Sequence, residues 1–249
     1  MSIVQSLWIG GTLSKMEVLS IKSFIENGNE YHLYTYDNVK NIPKGTIIKD
    51  GNEIISKEYI FKYCNGSYSA FSNLFRFCLL HKKGNFWVDT DIICTSKFDF
   101  PNEICIFNEP DIHYKTKTIT SCVLKLPKKS LITKIAVELC KEGRRQVLSN
   151  KITWGLGPAV LKEIVKIFEL DHMILDWRNI MVCGYNDWKI LIDHNYNCHS
   201  KVYKNPNNLP RENKCIHLWN EMWRRYKINK NDDFENSCIY EYFKKKHNV

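Results

Sequence analysis

Asp89 and Asp91 stand one residue apart in NFWVDTDIIC (85–94), between two runs of bulky apolar residues. Side chains alternate along an extended chain, so both carboxylates would face the same side. Two like charges ending an apolar strand are costly unless a cation or a hydrogen-bond network holds them. In open α/β sheets ligands bind beyond the carboxyl ends of strands. Two oxygen ligands at such a place suit Mg²⁺ or Mn²⁺, which commonly take one or two carboxylates together with substrate phosphates. A bare D-x-D triplet also occurs in exposed turns, but FWV before it and IIC after it argue for a pocket. Phosphohydrolases of the haloacid dehalogenase type end a strand in D-x-D too. They need Thr or Val just beyond the motif, where this chain has Ile92 and Ile93.

The elements that must position these acids are legible in the periodicity. Ile3–Trp8 reads as a strand ending in a glycine pair. Ser14 and Glu17 form a capping box, opening a helix that runs to about Asn27 and stops at Gly28. EYHLYTYD (30–37) is a second strand, rich in β-branched and aromatic residues. A helical stretch is expected over EIISKEYIFKYC (53–64). In the next helix Tyr68, Phe71, Phe75, Cys78 and Leu79 recur at helical spacing, Gly84 closes the segment, and Asn73 and Arg76 share a face. The strand with the aspartates follows at once. Beyond it SCVLKLP (121–127) reads as a strand, KSLITKIAVELCKEG as a helix ending at Gly143, and GLGPAVLKEIVKIFEL as a helix with Pro158 in its first turn. The alternation defines an α/β layered domain.

Composition narrows the class. A chain of 249 residues with 44% apolar content sustains one well-buried domain. The net charge of +9 fits anionic partners: phosphorylated ligands, nucleic acid or acidic lipid headgroups. The ten cysteines show no C-x-x-C pair and the opening residues lack a basic n-region, which predicts reduced thiols in a cytosolic protein. His194, Cys198 and His199 lack a second ligand pair at zinc spacing and read as a loop. No run reaches the about 18 apolar residues a membrane span needs.

LWIGG, SYSAFSNLFRFCLLHKKGNFWVDTDI, the GP of GLGPAVL and the late HLWNEMW occur in the order seen in D-x-D-containing sugar transferases. Over roughly residues 3–225 the chain resembles glycosyltransferase family 32 and the related capsular-polysaccharide transferases. More distantly it is similar to the large clostridial glucosylating toxins. The resemblance implies a GT-A fold, a Rossmann-like nucleotide-binding mixed sheet flanked by helices, with a divalent metal (Mn²⁺ or Mg²⁺) and transfer with retention. It implies a donor site at Trp8, Ile9, Gly10, Asn73, Arg76, Asp89, Thr90 and Trp219. Trp8 would stack on the nucleotide base, or serve as a core aromatic. Arg76 would reach sugar or phosphate oxygens with its planar, always-charged fork, the other reading being a surface ion pair. Asp91 would ligate the metal directly, Asp89 would contact hydroxyls or a metal-bound water, and His217 would be a third metal-site residue or else a core histidine. Trp219 would close over the diphosphate from a mobile loop. The family places an acid where this chain has Asn73, which keeps an acceptor and loses the charge.

The expected organisation is a GT-A domain over 1–226 and a basic C-terminal extension over 227–249, read as a frayed terminus or as a patch resting on an anionic membrane. The expected donor is a nucleotide sugar, UDP-linked rather than GDP-linked; the acceptor is a glycan, a lipid-linked saccharide or a protein. A nucleic-acid-binding protein is the rival class, supported by WRRYK and FKKKHNV but by no helix–turn–helix, zinc finger or RNP pattern. A non-catalytic sugar-nucleotide binder is the third reading.

Overall fold

The computed structural model describes residues 1–110, 118–198 and 202–249. The opening unit forms as its periodicity predicts. β1 (Ile3–Trp8) leads to α1 (Lys15–Glu26), and both reciprocal bonds of the Ser14–Glu17 capping box are present. Gly28 then takes the left-handed backbone (φ 79°) that ends the helix without a Cβ clash. β2 (Glu30–Thr35) pairs parallel with β1 from Ile3↔Glu30 to Trp8↔Thr35.

The helix expected over 53–64 is not there. β3 (Ile47–Asp50) instead adds parallel to β2, followed by single turns at Gly51–Glu53 and Lys57–Tyr59. The buried residues of this stretch are Ile54, Phe61 and Tyr63, a spacing that fits no helical stripe. β3 escaped the sequence pattern because it lies at the sheet edge, with Ile48 58% exposed.

α2 (Ser69–Lys83) follows, closed by Gly84 at φ 69°. Phe71, Phe75 and Leu79 form its buried stripe, whereas Tyr68 is exposed and Cys78 half-buried. The stretch 85–94 holds the expected strand before the aspartates and a second, short strand after them. β4 (Phe86–Val88) sits between β1 and the antiparallel β7, and β5 (Ile92–Cys94) leaves for a second sheet. Next come β6 (Cys105–Asn108), β7 (Ile119–Lys125), α3 (Leu131–Leu148), α4 (Leu156–Ile167) and β8 (Ile174–Leu175). The chain finishes with β9 (Cys215–His217), α5 (Asn220–Arg225) and α6 (Ile239–Lys246). The main sheet runs β3-β2-β1-β4-β7-β6-β8 with parallel and antiparallel pairs, and β5 and β9 form an antiparallel pair of their own.

Helices cover both faces of the main sheet. Phe86 and Val88 of β4 point into one core with α1, the β5–β9 pair and α6, while Trp87 points into the other with α2, α3 and α4. That alternation is the period-two signature of a strand buried on both faces. Gly143 does not end α3, which runs on to Leu148. A Cβ at Gly143 would lie 2.2 Å from Leu156 Cδ1, so the glycine is where α3 and α4 approach each other.

The C-terminal residues are not a frayed tail. Ile239, Tyr240 and Phe243 of α6 are buried in the core shared with α1. Lys230 pairs with the fully buried Glu17, and Lys244 donates to Glu241 (2.7 Å) and Asp233 (2.8 Å). Seven of the ten cysteines are buried free thiols, used as small core residues. His194 and Cys198 lie in irregular chain, and His199 falls outside the described residues. Among the described residues no helix is long and apolar enough to cross a membrane.

Candidate active site

A cavity of about 680 Å³ opens at the carboxyl ends of β1 and β4, where an open α/β sheet offers its ligand site. Trp8, Ile9, Asn73, Arg76, Asp89, Thr90, Asp91, His217 and Trp219 all line it. Gly10 does not. Its backbone has φ 148°, and a Cβ there would lie 3.3 Å from Trp8 Nε1, so Gly10 makes room for the Trp8 ring.

The D-x-D motif is a bridge between sheets. Asp89 N–H donates to the Cys122 carbonyl (2.8 Å), extending the β4–β7 ladder, while the Asp91 carbonyl accepts from Leu218 N–H (2.9 Å), extending β5–β9. Thr90 is the single residue between them. The strand ends at the aspartates as expected; beyond it the ladder changes partner inside the motif, and both acids reach the cavity.

The two carboxylates carry different company. Asp89 Oδ1 accepts from an Arg76 terminal nitrogen (2.6 Å) and from Trp87 Nε1 (2.7 Å). Arg76, 3% exposed, also donates to Asn73 Oδ1 (2.9 Å) and to the Ser121 hydroxyl, and its guanidinium lies 4.8 Å from the Trp87 ring centroid. Arg76 is therefore a buried centre of this wall and not half of a surface ion pair. Asp91 Oδ2 accepts from Asn220 N–H (2.9 Å) and faces His217 Nε2 at 3.3 Å. Burial raises the Asp89 pKa against the opposing pull of Arg76, and the Asp91 charge adds to the rise. Burial acts on Asp91 in the same sense, but His217 and the Asn220 N–H outweigh it and hold that acid below the ordinary range. Burial opposes charge on His217; Cys122 and Asp91 beside it outweigh burial and push its pKa well up.

Trp219 is anchored, not carried on an open loop. Its indole N–H donates to the Cys183 carbonyl (3.2 Å), its ring lies 4.1 Å from the His217 ring, and it is 9% exposed. Its backbone has φ 56°, a left-handed conformation that is strained for a bulky residue. The twist starts α5 one residue later, where Asn220 N–H meets Asp91.

Asn73 is braced from behind. A Cβ on Gly157, in the first turn of α4, would lie 2.2 Å from Asn73 Oδ1 and 2.9 Å from the Ser121 hydroxyl. Gly157→Ala should therefore displace Asn73 from Arg76 and cost about 2 kcal/mol of overpacking, a fall in melting temperature of about 5 °C. Scanning calorimetry checks this, and an unchanged melting temperature would show that the wall yields freely.

Glu109 was missed by the sequence reading. It follows β6 and lines the same cavity, where burial raises its pKa against the lowering influence of His217 and Thr120. The signal was available: ICIFNEP (104–110) is an apolar run ending in an acid, the pattern that singled out Asp89. Tyr68, Trp154 and Tyr185 at the cavity mouth were missed as well.

Asp91 and His217 fit one divalent cation. Two neighbouring ligands of an octahedral ion with bonds of about 2.1 Å stand about 3 Å apart, close to the 3.3 Å between Asp91 Oδ2 and His217 Nε2. Both described bonds to Asp89 fall on Oδ1, leaving Oδ2 for a ligand or a bound water. Among the described residues no three such side chains converge into a ready-made metal cage. The pair is the kind of partial shell that substrate phosphates complete.

The mixed sheet, its helical layers and the cavity at the β1 and β4 ends define the GT-A fold of glycosyltransferases. The solved structure of PaToxG glycosyltransferase is similar to this chain at a TM-score of 0.50 and 16% identity, over 69% of this chain and 72% of that one. The galactosyltransferase LgtC, solved with donor and acceptor sugar analogues, overlaps at 0.46 and 11% identity, over 87% of this chain and 86% of its own. The glycosyltransferase GlyE of Streptococcus pneumoniae TIGR4 overlaps at 0.47 and 13% identity, over 92% of this chain and 61% of its own. The likeness in fold rests on the first of these. No protein-family profile and no curated protein sequence matches the chain.

Proposed function

We propose that this protein is a glycosyltransferase that moves a sugar from a nucleotide-sugar donor, UDP-linked in preference to GDP-linked, to a hydroxyl of an acceptor. The observation that carries this reading is the meeting of two charged pairs, Arg76–Asp89 and Asp91–His217, in one cavity at the ends of β1 and β4. A buried guanidinium beside a carboxylate suits a polyhydroxylated ring. A carboxylate–imidazole pair suits the cation that accompanies a diphosphate.

In this reading Asp91 and His217, with the second oxygen of Asp89, would hold Mn²⁺ or Mg²⁺. When bound, the ion neutralises charge on the leaving diphosphate. An imidazole ligates only without its second proton, so a proton and the ion would compete for His217. Arg76 and Asn73 orient the sugar, and Trp8, at the end of β1 on the cavity wall, stacks on the base. Trp219 excludes water from the His217 side. The acceptor hydroxyl would attack on the face from which the diphosphate departs: the new glycosidic bond forms as the anomeric C–O bond to the diphosphate breaks, and the hydroxyl proton passes to the departing phosphate oxygen, giving retention. Glu109, on the same cavity wall, would in its ionised form set a negative charge toward the positive charge that develops on the sugar in such transfers.

Calorimetric titration with UDP and GDP, each with and without Mn²⁺, tests the reading. Binding of one nucleotide that depends on the ion supports it; ion-independent or absent binding of both overturns it. Glu109→Gln should leave nucleotide affinity within about threefold and lower the transfer rate by about 10²-fold. A transfer assay with radiolabelled donor measures it, and an unchanged rate removes Glu109 from the chemistry.

A further inference from the structure

The rim of the cavity has a character of its own. Tyr68, Trp154 and Tyr185 line it while remaining 37%, 40% and 48% exposed. Large aromatics left partly in water around one opening mark a binding surface more often than chance exposure. They come from three separate places: the residue before α2, the segment before α4, and the turn Tyr185–Leu191.

These rings are held in place. Trp154 lies 5.4 Å from the Tyr63 ring at a 37° tilt, and the Tyr63 hydroxyl accepts from Leu156 N–H (3.0 Å) at the start of α4. The Arg225 guanidinium lies 5.5 Å from the Trp154 ring centroid, joining α5 to the α4 side of the opening. Lys62 Nζ stands 4.3 Å from the Tyr68 ring centroid. On the same cavity wall Glu221 accepts from Arg224 (2.7 and 2.8 Å) and from Arg225 (2.9 Å), so a carboxylate and the guanidinium beside Trp154 share this opening with the rings.

We propose that this rim is the acceptor subsite of the transferase and that it takes a saccharide. The inference rests on the glycosyltransferase reading and goes beyond it by choosing the acceptor class and its residues. A pyranose has an apolar C–H face and a polar edge of hydroxyls. The C–H face matches the electron-rich face of an aromatic ring, and the hydroxyl edge matches carboxylate, guanidinium and the nearby Ser67 and Ser69. A lipid tail would need an aliphatic wall, and the rim is aromatic and charged.

The test uses the full-length protein and a panel of neutral hexose and N-acetylhexosamine oligosaccharides. Saturation-transfer NMR without donor should show at least one of them bound to the wild type, with the sugar C–H protons receiving the signal. Trp154→Ala should abolish that signal and raise the acceptor KM about tenfold. Mn²⁺-dependent UDP binding and acceptor-free donor hydrolysis should stay within about threefold of wild type, because Trp154 touches neither charged pair. Trp154→Phe should restore part of the acceptor affinity, and Tyr185→Ser should reproduce the loss from another element. No saccharide signal with the wild type, or an acceptor KM unmoved by Trp154→Ala, overturns the proposal. Failure of UDP binding in the wild type instead overturns the donor reading. The NMR arm needs no donor and decides the saccharide site in either case.

Discussion

Asp91→Asn is expected to remove cation-dependent nucleotide binding, weakening it by at least 100-fold, or about 2.8 kcal/mol. Asparagine keeps the size of the side chain and an oxygen that can accept from Asn220 N–H, so the turn into α5 is preserved. What it loses is the charge that pairs with His217 and would hold a divalent ion. The fold should register this weakly, because without the Asp91 charge His217 can stay neutral and no buried charge is left unpaired, and the ligand strongly. Titration calorimetry with UDP at saturating Mn²⁺ reads the loss, and circular dichroism confirms the fold. Retained ion-dependent affinity in the variant would transfer the cation to other residues and undo the assignment of Asp91.

Arg76→Met should be the most damaging single change for the fold around the cavity. The guanidinium is 3% exposed and reaches Asn73, Ser121 and Asp89 together. Methionine matches its stem but removes the charge, leaving the Asp89 carboxylate with Trp87 Nε1 as its remaining described donor. Removing one member of a buried pair costs about 3–5 kcal/mol. The Asp89 side chain is 29% exposed through the cavity, which places the expected cost near about 3 kcal/mol, or about 9 °C in melting temperature. Sugar turnover should fall as well, because Asn73 and Asp89 lose the group that aligns them. Differential scanning calorimetry tests the first part. A stable variant with wild-type turnover would reduce Arg76 to an incidental contact.

Much of the architecture is local in origin and was legible in the residues. The capping box at Ser14 and Glu17, the glycine stops at Gly28 and Gly84, and the stripe of Phe71, Phe75 and Leu79 each depend on neighbours within a few positions. Where the reading failed, a distant partner overrode a local cue. Gly143 resembles a helix stop by itself, but α3 continues because α4 packs against that point and needs the missing side chain. The segment 53–64 has helix-forming composition but is held in turns. There Tyr36 donates to the Ile55 carbonyl (2.7 Å), and the Gly51 Cβ position would fall 2.7 Å from the Tyr36 ring.

The residue types able to do the chemistry were readable from the chain alone: two acids after an apolar strand, an arginine and an asparagine on one helical face, and a histidine after a short apolar run. Which of them meet in space was not. Asp89 joins Arg76 because β4 lies beside β1 and β7 under α2, and Asp91 joins His217 because β5 pairs with β9 more than 100 residues away in sequence. Glu109, just after β6, and Trp154, just before α4, line the same opening. Local periodicity encodes most of the elements, since caps, helix stripes and glycine stops are set by near neighbours. The register between sheets is decided only when the chain closes its core, and that register assigns each carboxylate its partner.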